Sequence, residues 1–180
     1  MQGRRTWSYA WPVWRFQRQL SEKAALVQDQ TIAEGFAEFV LSNEPRLRHA
    51  LNSAFGLETG REAAAEALAY GWEHWERIRG MENSIGYLYV VGRDRGRKMH
   101  RGRRFVLPEV PEDRTPWVEP GLPRALAALP ERERVVVLLV YAYGWAMSEV
   151  GELLGVTKST VQTHAERGVN KLRRKLGVKL

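Results

Sequence analysis

The 180-residue sequence contains no cysteine, and it has no apolar run long enough to cross a bilayer. Without cysteine, a disulfide framework and any metal site built on thiolates are excluded. The most apolar stretch, VVVLLVYAYGWAM at 135–147, falls well short of the roughly 20 residues that a transmembrane helix needs. Pro12, Arg15 and Arg18 interrupt the region where a signal peptide would be apolar. We therefore expect a cytoplasmic protein that does not insert into membranes.

The known catalytic motifs are also missing. The sequence has no P-loop, no G-x-G-x-x-G, no H-E-x-x-H and no G-x-S-x-G. Its four histidines, at positions 49, 74, 100 and 164, do not have the spacing of metal ligands. We therefore expect that the protein is not an enzyme and that it needs no cofactor or metal.

The chain does have a large excess of basic residues. Its formal net charge is +7 and its pI is about 10.0, which favours an anionic partner such as nucleic acid or an anionic membrane surface. An apolar fraction of 44% is sufficient for a packed core. Apolar residues recur at helical spacing, and no stretch alternates as a strand would, so the predicted fold class is all-α.

Prolines and charge divide this helical chain into segments. A basic, Trp-rich extension, predicted to be poorly ordered, precedes a first helical domain. A linker with four prolines and acidic residues follows, and then a second helical domain. The predicted boundaries are 1–30 for the extension, 31–104 for the first domain, 105–121 for the linker and 122–180 for the second domain.

Local signals predict several helix boundaries in the first domain. Pro45 is suited to the first position of a helix, and Gly56 to its end. The alanine-rich stretch 61–78 predicts one continuous helix whose buried face includes Trp72 and Trp75.

The stretch SEVGELLGVTKSTV, 148–161, predicts a helix-turn-helix. Gly151 allows two helices to approach closely, Gly155 makes the turn, and Thr157 is placed to cap the second helix. The second helix of such a motif lies in the DNA major groove. The residues expected to meet DNA are Lys158, Ser159, Thr160, Gln162, Thr163, His164 and Arg167.

A second candidate for nucleic-acid binding is RDRGRKMHRGRR at 93–104. Seven cations face one acid there, which is typical of a phosphate-binding surface. The cations are Arg93, Arg95, Arg97, Lys98, Arg101, Arg103 and Arg104. The aromatic stretch before this run contributes Tyr87, which we expect to contact a base.

Taken together, these motifs resemble those of a bacterial sigma factor, of the compact extracytoplasmic-function group of the sigma-70 family. GYLYVVGRDRGRKMHRGRR is similar to the family's segment that opens and holds the −10 element, with Asp94 where asparagine is common. The residues from 122 to 176 are similar to the family's −35-reading domain. The resemblance implies that the protein binds core RNA polymerase and promoter DNA and directs promoter-specific initiation.

The resemblance also implies further partners and contacts. By the family's pattern, Glu62 and Glu66 in EAAAEALAYGWEHWERI would face the clamp helices of the polymerase. Arg93, Asp94, Arg97, Lys98, Arg101 and Arg104 would join Tyr87 at the −10 element. An anti-sigma factor or another regulator is an expected partner.

Two other classes of protein remain open at this stage. STVQTHAERGVNKLRRKLGV is also similar to the helix-turn-helix of a response-regulator-type transcription factor, which would bind duplex DNA without being a polymerase subunit. The third possibility is an interaction protein that acts as a decoy for polymerase or for an anti-sigma factor.

Overall fold

The computed structural model describes residues 13–100 and 119–177, and every regular element in these ranges is a helix. This confirms the predicted all-α class. In chain order the α-helices are α1 (Val13–Phe55), α2 (Leu57–Glu73), α3 (Trp75–Ile78), α4 (Ser84–Met99), α5 (Leu122–Ala127), α6 (Glu131–Val137), α7 (Met147–Leu154) and α8 (Lys158–Leu176). A π-helix, Leu138–Ala142, follows α6 directly.

Two compact units make up the chain, Met1–Glu38 and Phe39–Leu180. We call residues 39–100 the N-block and residues 119–177 the C-block, and both lie within the second unit. Residues 101–118, which hold most of the predicted linker, lie outside the described residues. The bounds of the four predicted segments therefore stay predictions.

The first helix begins earlier than the sequence suggested. Residues 13–30 were expected to be poorly ordered, with at most a short helix, but they form the start of α1. The stretch contains neither glycine nor proline and is rich in alanine, glutamine, leucine and arginine, which favour helix. The remainder of the predicted extension, 1–12, lies outside the described residues.

Pro45 lies inside α1 and does not begin a new helix, which corrects the prediction. A proline there removes one backbone hydrogen bond, but packing holds both flanks in place. Before it, the ring of Phe39 lies 4.9 Å from that of Trp75. After it, Leu47 and Leu51 are fully buried. Gly56 ends the helix with a φ of 87°, as predicted.

The continuous helix predicted over 61–78 is broken at His74. Its backbone (φ −121°, ψ 19°) separates α2 from the single turn of α3. In a straight helix, Trp72 and Trp75 would share one face. Because of the break, Trp75 is buried, whereas Trp72 is 50% exposed, so only Trp75 belongs to the predicted core.

The helix-turn-helix forms as the sequence predicted. Gly155 ends α7 in the left-handed conformation (φ 64°), and the Thr157 side chain accepts a hydrogen bond from the Thr160 amide at 3.2 Å. A Cβ atom on Gly151 would lie 2.7 Å from the Val156 carbonyl oxygen, so the close approach requires glycine there. Val161 is fully buried, which orients the opposite face of α8 outward.

Candidate nucleic-acid interface

The first turns of α8 present most of the predicted DNA-binding residues to solvent. Five are exposed: Lys158, Ser159, Gln162, Thr163 and Arg167. Thr160 and His164 are half-buried, because they lie toward the body of the C-block. The exposed set forms one polar face, as base readout by a recognition helix requires.

Hydrogen bonds within α8 already orient part of this face. The Ser159 hydroxyl lies 2.9 Å from the Thr157 hydroxyl, and the Thr163 hydroxyl donates to the Ser159 carbonyl at 3.0 Å. Such local bonds hold short polar side chains near the backbone. Ser159 and Thr163 are thus positioned at the helix start, and Gln162 extends beyond them.

Glu166 also belongs to this face, although the sequence pattern did not predict it. It is exposed one turn after Gln162, and its carboxylate accepts a hydrogen bond from the Gln162 side-chain amide at 3.0 Å. A carboxylate on a recognition helix can accept from the amino group of cytosine. The spacing of four residues between Gln162 and Glu166 could have indicated this hydrogen bond. The excess of basic residues around Glu166 drew attention away from it.

Two cations on the basic face of α4 form ion pairs with acids on other helices, unlike the polar residues of α8 described above. Arg97 makes a two-point contact with the Glu131 carboxylate, each N–O distance being 3.2 Å, and this bond raises the pKa of Arg97. Arg95 lies 3.3 Å from Glu66. Asp94 and Lys98 are exposed. Arg101 and Arg104, the other two residues predicted for the −10 contact, lie outside the described residues.

Arg93 faces a small cleft between the two blocks. Tyr89, Arg132 and His164 also line it. The Arg93 Nε and His164 Nδ1 atoms are buried, and neither has a hydrogen-bond partner. The structure thus brings one residue of each predicted DNA-binding element to the same cleft.

Tyr87 belongs to a polar aromatic group at the start of α4. Its hydroxyl lies 3.1 Å from that of Tyr70, and Arg77 donates to both hydroxyls, at 2.9 Å to Tyr70 and 3.1 Å to Tyr87. The His74 ring stacks on Tyr70 with centroids 4.1 Å apart. The sequence pattern alone indicates only Tyr87, because the neighbours of this residue come from α2 and α3.

The two residues expected to meet polymerase lie four positions apart on α2. Glu62 and Glu66 are both exposed, and Glu66 is shared with Arg95 of α4. A protein partner can therefore reach both carboxylates. Among the described helices, none combines the length and the apolar character that crossing a bilayer requires.

Comparison with known proteins identifies the C-block. Residues 121–172 match the family model described as sigma-70, region 4. The C-block is thus a sigma-70 region 4 domain. The fold of the chain is similar to that of the sigma factor RpoE from Bartonella quintana, solved in complex with the anti-sigma factor NepR. That match has a TM-score of 0.59 at 18% identity and covers 82% of this chain and 99% of the other. No curated protein matches the sequence.

The family match confirms the predicted sigma-70 domain in the C-block, and the structural match is a likeness of fold. The family match covers the helix-turn-helix, and the fold match extends through both blocks. Neither comparison favours the response-regulator-type alternative. The roles of individual residues on α2, α4 and α8 stay predictions.

Proposed function

We propose that the chain is a sigma factor of the sigma-70 family, which binds core RNA polymerase through α2 and directs it to promoters through α4 and α8. The observation that carries the proposal is a region 4 helix-turn-helix with an exposed polar face, in the same chain as a basic helix. The sigma factor supplies recognition, and the polymerase supplies the chemistry. Such a polymerase subunit works in the cytoplasm.

Each element has a separate part in the proposed mechanism. The exposed face of α8, including Gln162 and Arg167, reads the −35 duplex. The cations of α4 hold the phosphates at the −10 element while the Tyr87 group receives an unpaired base. Unpairing a base costs a few kcal/mol, which a single bound tyrosine does not offset alone. Tight promoter binding is therefore expected to require the holoenzyme.

An anti-sigma factor is also a proposed partner. The similar RpoE was solved with one, and the exposed carboxylates of α2 together with the basic face of α4 give a regulator two charged surfaces to cover. A regulator that covered either surface would prevent initiation by competing with polymerase or with DNA.

Reconstituted transcription tests the proposal. The purified protein is added to sigma-free core polymerase, and run-off transcripts are mapped across a genomic library. Specific initiation that depends on the protein is expected. Tight duplex binding by the protein alone without initiation would favour the response-regulator-type function, and core binding without initiation would favour the decoy.

The polymerase contact is tested with two matched variants of α2. Glu62→Lys is expected to weaken core binding at least tenfold, because it places a cation where the clamp is expected to meet an acid. Glu58→Lys makes the same charge change at another exposed position of α2 and should bind core normally. Equal binding by both variants would remove Glu62 from the proposed contact.

A further inference from the structure

The cleft where α4, α6 and α8 meet is lined by basic side chains from all three helices. Arg93 comes from α4, Arg132 from α6 and His164 from α8, and Tyr89 lies beside them. Among the described residues that line the cleft, none is acidic. The cleft therefore concentrates positive charge without a carboxylate of its own.

The two arginines of the cleft differ from their neighbours on α4. Arg95 and Arg97 are each paired with a glutamate on another helix, at 3.3 and 3.2 Å. Within ranges 13–100 and 119–177, neither Arg93 nor Arg132 has such an acidic partner. Their charges are therefore available to an anion that enters the cleft.

Two nitrogen atoms in the cleft are buried without a hydrogen-bond partner among the described residues. They are Arg93 Nε and His164 Nδ1. An arginine Nε carries a proton and can only donate, and an imidazole nitrogen donates whenever it carries the proton. Buried donors are nearly always paired in native proteins, because an unpaired one is destabilising. An acceptor in the cleft would satisfy both atoms.

The Tyr89 hydroxyl adds a further donor. Burial raises the pKa of Tyr89 to about 12, and Glu131 contributes to this rise, whereas Arg93 and Arg132 oppose it. Both guanidinium groups therefore lie near the phenol. Because the phenol keeps its proton at neutral pH, it can donate a hydrogen bond to the same acceptor.

The remainder of the lining is apolar. Val135 of α6, Leu154 of α7 and Val156 of the following turn complete the cleft, and Val135 is almost fully buried. Apolar walls lower the local dielectric constant, so a cation attracts an anion more strongly there than on an open surface. The cleft has about 350 Å³ of free space, part of it open to solvent, which suits a compact ion.

These donors suit a phosphate group better than a carboxylate. Two arginines supply two positive charges, and a phosphate monoester carries about −1.5 to −2 at pH 7, whereas a carboxylate carries a single negative charge. A phosphate also offers three oxygens that point in different directions, as donors from three helices require. The guanidinium fork binds two of these oxygens at once.

We propose that this cleft is a binding site for a small phosphate-bearing anion, held by Arg93, Arg132 and His164. A phosphate of the −10 DNA backbone has the same chemistry, but it is expected to meet only the α4 arginine. A free anion in the cleft would occupy that arginine and compete with the −10 backbone. The competition rests on the proposed function, whereas binding of the anion does not.

Isothermal titration calorimetry of the full chain tests the site, with inorganic phosphate and pyrophosphate as probes at constant ionic strength. One saturable site per chain is expected. Arg93→Gln and Arg132→Gln should each weaken binding by about tenfold or more, because each removes a charged hydrogen-bond donor. His164→Phe keeps a ring but no nitrogen and should weaken binding by a smaller factor. Arg124→Gln, the control, removes an exposed cation from α5 and should bind as the wild type does.

Promoter binding by the holoenzyme separates the free anion from DNA. Arg132→Gln should leave promoter affinity unchanged, because α6 carries none of the proposed DNA contacts. Arg93→Gln should weaken both promoter binding and anion binding. Circular dichroism would verify that each variant remains helical, and the exposed position of Arg132 makes its variant the least disruptive to folding.

The outcomes distinguish the cleft site from the function. No saturable binding, or equal binding by the wild type and Arg132→Gln, would overturn the site, because the net charge of +7 would then explain any attraction. A loss confined to Arg93→Gln would overturn it as well, since the anion would then only mimic a DNA phosphate on α4. Binding that requires all three residues would support the site, and failure of initiation would then reject the proposed function alone.

Discussion

The two helices proposed to meet DNA differ in where their polar side chains find partners. On α8, Gln162 bonds with Glu166 one turn away, and Thr163 bonds to the backbone of its own helix. On α4, Arg97 bonds to the C-block, and Tyr87 bonds to side chains of α2 and α3. The α8 surface is therefore organised locally, whereas the α4 surface depends on how the blocks pack. Substitutions can test this difference.

The largest effect is expected where the geometry of α8 depends on a single glycine. Gly151→Val would push a side chain into the Val156 carbonyl and should cost about 3 kcal/mol of unfolding free energy. Denaturant unfolding measures this cost, and −35 duplex binding should fall with it. Gly80→Ala is the control, since its nearest atom would lie 3.9 Å away. An unchanged stability of Gly151→Val would contradict the tight turn.

The buried tyrosine of α4 gives the next largest effect, at alkaline pH. The pKa of Tyr89 is raised to about 12, compared with 10.0 for a free tyrosine. As the pH rises, the unfolded chain therefore loses this proton at a lower pH than the folded chain does. The free energy of unfolding should fall by roughly 2.7 kcal/mol between about pH 10 and 12. Tyr89→Phe should remove that fall, whereas Tyr141→Phe, at a position 61% exposed, should not. The same alkaline loss in both variants would show that Tyr89 is not its source.

Base readout by α8 is expected to give a smaller effect that depends on sequence. Gln162→Ala should reduce discrimination at one −35 position by about 1–3 kcal/mol. Glu166→Ala should alter preference at the same or the adjacent position, because it releases the Gln162 amide. Asn170→Ala, at an exposed position two turns later, should affect all sequences equally. Selection from randomised −35 duplexes by the holoenzyme measures each preference.

The smallest effect concerns phosphate binding by α4. Lys98→Ala should weaken binding to all sequences and reduce the salt slope of holoenzyme–promoter affinity by about 1. Arg124→Ala removes an exposed cation from α5, a helix that carries none of the proposed DNA contacts, and should leave the slope unchanged. If the two variants gave the same slope, α4 would have no special role in phosphate binding.

Local backbone chemistry determined the helix-turn-helix from the sequence alone. Gly151, Gly155 and Thr157 each act within a few residues of their own position, and the structure confirms all three. The N-terminal cap of α4 is also local, because the Asn83 side chain accepts a hydrogen bond from the Gly86 amide three residues later. The place of Pro45 inside α1 was not predicted, because packing on both of its flanks holds the helix continuous. The break at His74 was not predicted either.

Only the tertiary structure revealed how the blocks meet. Arg134 is 81 residues from the Ser53 carbonyl that it binds, and Arg97 is 34 residues from Glu131. No periodicity or spacing pairs residues so far apart, because many other acids and carbonyls are available to an arginine in an unfolded chain. The sequence by itself determined the recognition helix, since its bonds are local. Tertiary packing decided which cations of α4 remain available to DNA, because that depends on contacts that form only when the chain is folded.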